Sequence, residues 1–118
     1  MTRDSIQEND NALNTLNREG KILDGLDRFY ADDCTFQEGN EEPIVGRATQ
    51  HDRLSSMFST LKSFNGATLH SQAIGDGVSV TEWTFDMTGP ENEAIIWNEV
   101  LVRHWNGGKV VRERFYQA

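Results

Sequence analysis

The chain has 118 residues, a net charge of −8, 36% hydrophobic and 25% charged residues, the profile of one folded domain spanning 1–118. The acidic balance excludes a nucleic-acid partner, because phosphate binding needs concentrated Lys and Arg, and excludes a basic membrane-surface helix. No apolar run is long enough to span a bilayer and no signal peptide opens the chain, so the expected compartment is the cytoplasm with no membrane partner.

In chain order, Ser5-Ile6-Gln7-Glu8 has the spacing of a capping box, which places a helix start at Ser5. Ile6, Leu13 and Leu16 then mark a thin apolar stripe, interrupted at Gly20. Ile22, Leu23, Leu26, Phe29 and Tyr30 follow helical spacing and predict a second helix ending near Ala31. A short strand at 35–38 follows, then a polar loop with Pro43 and Gly46 as breakers. A third helix is predicted over 47–62, with Leu54, Met57, Phe58 and Leu61 as its core stripe and Asn65-Gly66 as its stop.

The second half reads as strands at 68–74, 78–88, 94–105 and 109–116. They are separated by Gly75-Asp76-Gly77, Gly89-Pro90-Glu91-Asn92 and Asn106-Gly107-Gly108. Hairpin turns between β-branched and aromatic runs predict an antiparallel meander, and helices followed by such a sheet give an α+β fold. Trp83, Phe85 and Met87 share one face, whereas Val78 and Val80 have the opposite parity. That phase change predicts either a bulge or apolar cover on both faces. Likewise Ile95, Trp97, Leu101 and Trp105 lie on one face, with Ile96, Val100 and Val102 on the other. A strand apolar on both faces, in a chain too short for a second helical layer, predicts a homodimer through the outer sheet face.

The order of "LNREGKILDGLDRFYADDCTF", a loop with "IVGRATQ", a helix, and long strands ending "VLVRHWNGGKVVRERFYQ" resembles the nuclear transport factor 2-like superfamily. Within it, the likeness is to the SnoaL-like polyketide cyclase and ketosteroid isomerase branch. The resemblance implies a cone-shaped curved antiparallel sheet wrapped around helices on its concave face, enclosing one pocket. It also implies homodimers through the convex face, and activities (isomerase, cyclase, dehydratase, epoxide hydrolase) that need no cofactor.

On that resemblance, Glu38 falls where ketosteroid isomerases carry the Asp that removes a proton next to a carbonyl, and a carboxylate in an apolar pocket becomes a usable base near neutral pH. Its other reading is a solvated acid beside Gly39, Glu41 and Glu42. The oxyanion donors of the isomerases have no counterpart: Leu101 stands at the Asp position, and the first-helix Tyr falls near residues 12–14. Steroid isomerisation is therefore not among the expected activities. Glu99 and Arg103 share a strand face with Trp97 and Leu101, which the resemblance places inward. Arg103 can sit opposite Glu113 if the Asn106-Gly107-Gly108 hairpin uses a three-residue loop, whereas a two-residue Gly-Gly turn would send Glu113 outward. This group reads either as catalytic or as a structural ion pair.

His51, three residues before Leu54, can face the pocket rim with Arg47 or Gln50, or be solvated. His104 shares parity with Val100 and Val102, on the dimer face. Leu54, Phe58, Trp83, Phe85, Trp97, Leu101 and Phe115 are candidate walls of a substrate pocket, with core packing as their alternative role. Cys34 reads as buried and inert; with one cysteine and three scattered histidines, no disulfide, metal site or cofactor is expected.

Two functions follow. One is a cofactor-independent enzyme on a small, largely apolar, carbonyl-containing molecule, with Glu38 as base and Arg103 steadying negative charge. The other is a non-catalytic ligand-binding or dimerisation module of the same fold; a protein-interaction module with an open pocket mouth is a third. A Glu38 that enters an enclosed pocket within reach of Arg103 or His51 favours the enzyme, and a Glu38 on the outer loop does not.

Overall fold

The computed structural model describes residues 1–117. Three helices, α1 (Arg3–Arg18), α2 (Ile22–Phe29) and α3 (Arg47–Thr60), accompany six strands: β1 (Tyr30–Glu38), β2 (Ile44–Val45), β3 (Ser63–Gly75), β4 (Val78–Thr88), β5 (Ala94–Asn106) and β6 (Lys109–Gln117). The sheet order is β2-β1-β6-β5-β4-β3, and it stays open between the edge strands β2 and β3. Helix α1 packs on β3 and β4, α3 packs on β1, and α2 bridges α1 and α3.

The sheet is mixed, which corrects the all-antiparallel expectation. β1 runs parallel to β6, with Phe36 opposite Glu113 and Glu38 opposite Phe115. A strand that leaves the helical layer and re-enters beside the last strand has no hairpin to set its direction. It also begins earlier than expected. The second helix ends at Phe29, and Tyr30 already has extended dihedrals (φ −108°, ψ 139°).

Other boundaries move for local reasons. α1 starts a turn before the Ser5 box because Thr2 is the cap, its hydroxyl accepting the Ser5 amide at 3.1 Å. Its C-terminus closes on Gly20 (φ 76°), with Gly20 N–H to Asn17 O at 3.1 Å and Lys21 N–H to Leu16 O at 2.8 Å. This left-handed closure suits glycine. A Cβ there would also meet the Phe64 ring at 3.1 Å. The third helix stops at Thr60, and Asn65-Gly66 lies inside β3 rather than ending the helix.

No bulge breaks β4, whose register against β5 is continuous from Val78–His104 to Thr88–Ala94. The shifts are on β3, where Asn65 and His70 are extra residues against β4; bulges bend the strand that carries them. The inner face of β4 is Ser79, Thr81, Trp83, Phe85 and Met87, all buried. The apparent change of phase arises because two of those inner positions are polar.

The last hairpin resolves the Arg103–Glu113 question in an unexpected way. Asn106 pairs with Lys109 across Gly107 (φ 59°) and Gly108 (φ 84°), a two-residue turn with both φ positive. Such a turn alone would turn Glu113 outward. Trp105 pairs with Val110 but His104 with Arg112, so Val111 is an extra residue that restores Arg103 opposite Glu113.

The core divides in two. Ile6, Leu13, Leu26, Phe29, Tyr30, Cys34, Phe36, Trp105 and Val110 form one cluster, and Trp83, Phe85, Met87 and Leu101 the other. Phe115 packs against both. The candidate site lies between them.

Candidate functional site

A cavity of about 90 Å³ takes its walls from both clusters: Leu13, Leu26, Tyr30 and Phe36 from one, Phe85, Met87 and Leu101 from the other. Of the sequence candidates, Leu54, Phe58, Trp97 and Phe115 also line it, and so do Glu99 and Glu113. Trp83 does not; it is buried behind Phe85, its ring stacked on that neighbour at 5.4 Å between centroids. The remaining lining residues with polar atoms are Asn17, Tyr30 and Gln50, to which the Trp97 indole N–H is added.

Glu99 comes from the inward face of β5 and is 8% exposed, with no hydrogen-bond partner for its carboxyl among the described residues. Burial, then the neighbouring Glu113 and Glu38 carboxylates, push it up from 4.5 to about 7.

Glu113 is held from behind. Its Oε2 accepts the Tyr30 hydroxyl at 2.5 Å and Arg103 Nε at 3.0 Å. Burial raises the Glu113 pKa against the opposing pull of Arg103 and Tyr30. Burial, reinforced by Glu113, keeps the Tyr30 hydroxyl protonated far above its ordinary range. Arg103 is fully buried and does not line the cavity. Its Nη1 donates to Asp10 Oδ1 at 2.8 Å and Asn14 Oδ1 at 2.6 Å. Burial works against its charge, but the surrounding Tyr30, Glu113 and Asp10 outweigh that and hold its pKa above the ordinary value. Asp10 further accepts Ser79 Oγ at 2.7 Å and Gln72 Nε2 at 2.7 Å, and Ser79 Oγ accepts Trp105 Nε1 at 2.9 Å. One arginine thus ties α1, β5 and β6 together. Of the acids expected beside it, Glu113 is there; Asp10 takes the second place and Glu99 stands apart, in the cavity wall.

Two sequence candidates lie elsewhere. The Glu38 side chain is 56% exposed, does not line the cavity, and its nearest cation is Arg53 at 4.0 Å. His51 is on the outside of α3, 3.7 Å from Asp27, and does not line the cavity. The geometric condition for Glu38 as a pocket base is not met. Cys34 is buried, and burial pushes its thiol up to about 12. Among the described residues no group of His, Cys, Asp and Glu has the arrangement of a metal site, and no helix is long and apolar enough to cross a membrane.

Asp10, Asn14 and Asn17 were legible in principle. With Ile6 and Leu13 they complete one helical face at i, i+4, i+7, i+8 and i+11, and polar residues on an inward stripe signal a buried network. Gln50 follows the same logic, one turn before Leu54.

A mixed sheet with helices packed against it and an apolar cavity between them defines an α+β cone. The SnoaL-like domain matches residues 10–113, and the chain belongs to that family. Among solved structures, it is similar to a protein described as a SnoaL-like polyketide cyclase [carbohydrate phosphatase] from Mesorhizobium loti, with TM-score 0.80, 22% identity, and 98% of this chain and 99% of that one covered. It is similar to an NTF-2 like protein of unknown function from Burkholderia xenovorans (0.79, 21%, 98% and 84%). A third likeness is to an LEH-like epoxide hydrolase from Mycobacterium tuberculosis (0.75, 20%, 99% and 84%). At these identities the structures share the fold. No curated protein matches the chain.

Proposed function

We propose that this chain is a cofactor-independent acid–base enzyme of the isomerase, cyclase or hydrolase type, acting on a small, largely apolar, carbonyl-containing molecule, with Glu99 moving the proton. The observation that carries this reading is a buried carboxyl without a protein partner among the described residues in the wall of an otherwise apolar cavity. Such a group exchanges protons near neutral pH because neither of its charge states is strongly favoured there. Glu99 replaces Glu38 as the proposed base. Tyr30 and Arg103 fix Glu113 in place, and Arg103 acts through that carboxyl rather than by touching substrate. Relatives described as a polyketide cyclase and an epoxide hydrolase support the class of chemistry and no particular substrate.

The test needs no known product: cyclohexanone is incubated with the protein in D₂O, and deuterium uptake at its α-carbons is followed by NMR. Glu99→Gln should slow protein-catalysed exchange about a hundredfold with binding retained, and Glu38→Gln should leave it unchanged. Exchange that is equal in Glu99→Gln and the parent protein removes Glu99 as base. Binding without any exchange favours the ligand-binding module.

We also propose a homodimer through the outer sheet face. Ile96 is 50% exposed there, and Val78, Val80, Val100 and Val102 are only part-buried beside it, an apolar surface that a second copy would cover. Sedimentation should show a dimer, and Val102→Glu should weaken association more than tenfold. A chain that sediments as a monomer at millimolar concentration contradicts this.

A further inference from the structure

We infer that Gln50 is the donor that receives the ligand's oxygen, oriented from outside the cavity by Arg53, so that the pocket selects neutral molecules bearing a carbonyl. The inference rests on the cavity being the ligand site, as proposed above. Gln50 is 3% exposed and lines the cavity from α3. Its Oε1 accepts Arg53 Nη1 at 3.0 Å. A guanidinium only donates, so this contact fixes which end of the amide is oxygen and leaves Nε2 as the other end. Nε2 has no acceptor among the described residues and is not sealed off by protein, so it is open to a ligand's oxygen.

The other lining groups that can donate are the Trp97 indole, the Asn17 amide and, when protonated, the Glu99 carboxyl, and Gln50 differs from them in having its amide oriented from outside. Glu99 supplies acceptor oxygens whenever it is ionised. Glu113 has both its bonds on Oε2, and the Tyr30 proton is already given to Glu113. Arg103, the buried cation nearby, does not line the cavity. An anionic ligand would therefore meet two carboxyls and no cation, whereas a ketone, aldehyde, ester or lactone finds an amide donor for its oxygen and apolar walls for its body. Asn17 also lines the cavity, but nothing among the described residues fixes the direction of its side-chain amide. Arg53 is half exposed and stands 4.0 Å from Glu38. Glu38 thus belongs to the outer end of a line Glu38–Arg53–Gln50 that ends inside the pocket. Arg53 is a positioning residue in this arrangement.

Cyclohexanone and methylenecyclohexane differ only in C=O against C=CH₂, and NMR titration of each into the full chain gives a ratio of dissociation constants. Gln50→Met should weaken cyclohexanone relative to methylenecyclohexane by about tenfold, because a site built around a donor penalises its loss. Arg53→Met should shift the same ratio about threefold in the same direction with the cavity wall intact, a change that a purely structural role would not produce. Asn17→Leu, also in the cavity wall, should move the ratio less than Gln50→Met does. A ratio unmoved by Gln50→Met, or moved at least as much by Asn17→Leu, overturns the assignment while the pocket stands. If neither probe binds the parent protein, the cavity is not the ligand site and both readings fall together.

Discussion

Arg103→Met should lower the free energy of unfolding by about 3–5 kcal/mol, the usual cost of removing one member of a buried ion-pair network. Urea denaturation at pH 7 measures it. Arg103, Asp10 and Asn14 are each at most 1% exposed and Glu113 is 4% exposed, so no solvent replaces the lost cation. The substitution leaves two carboxyls facing each other's field without a counter-charge, and it removes the donors to Asn14 Oδ1, Asp10 Oδ1 and Glu113 Oε2 together. The loss should shrink as the pH is lowered, because Glu113, whose pKa burial already raises, escapes by taking up a proton. A domain of this size has a stability of roughly 6–18 kcal/mol, so the variant should remain measurable but fragile. The triple variant Arg103→Met, Asp10→Asn, Glu113→Gln should recover a large part of the loss, because a neutral network no longer needs the cation. A single variant within 1 kcal/mol of the parent protein would mean that α1, β5 and β6 are joined by apolar packing and the network is incidental.

The network also marks where sequence reasoning stopped. The helices and the exact span of β4 were readable because they rest on local periodicity and turn residues, and the family because the order of its motifs resembles a known one. The partner of Arg103 was not. The glycine pair correctly announces a tight turn, yet the inward direction of Glu113 depends on Val111 slipping out of register, and no local signal in "KVVRER" demands that. It is settled by the demand of a buried guanidinium for an acid, which is a tertiary event. Asp10 is a similar case. Val78 and Val80 suggested a change of phase on β4, but Ser79 is inside to serve Asp10 and Trp105, and Thr81 to serve Trp83 Nε1 at 2.8 Å. The parallel pairing of β1 with β6 was hidden for another reason: no turn connects them. That pairing ends beside Phe115, and it leaves Glu38 at the sheet's rim facing Arg53 rather than in the cavity. The address suggested by the family resemblance is therefore close to the pocket in the chain and outside it in space.

Glu99→Gln should make the protein more stable above neutral pH by up to about 3 kcal/mol, and about equally stable near pH 4.5. An unfolded Glu99 releases its proton near 4.5, whereas the folded one holds it to about 7. Between these values the folded state binds more protons than the unfolded state, so stability falls as pH rises and levels off above 7. A shift of that size corresponds to about 3 kcal/mol. Glutamine resembles the protonated acid and has no such slope. Glu113 is also raised and repels an ionised Glu99, so the difference between the two proteins includes relief of that repulsion, which acts in the same direction. Chemical denaturation at half-unit steps from pH 4.5 to 8.5 gives the two curves, and parallel curves would show that Glu99 is solvated when ionised. Diverging curves would mean that the chain keeps, inside an apolar wall, a carboxyl that weakens its fold at the pH where it can act as a base. A variant that gains stability there while losing proton exchange would show the stability–activity trade-off at this one carboxyl.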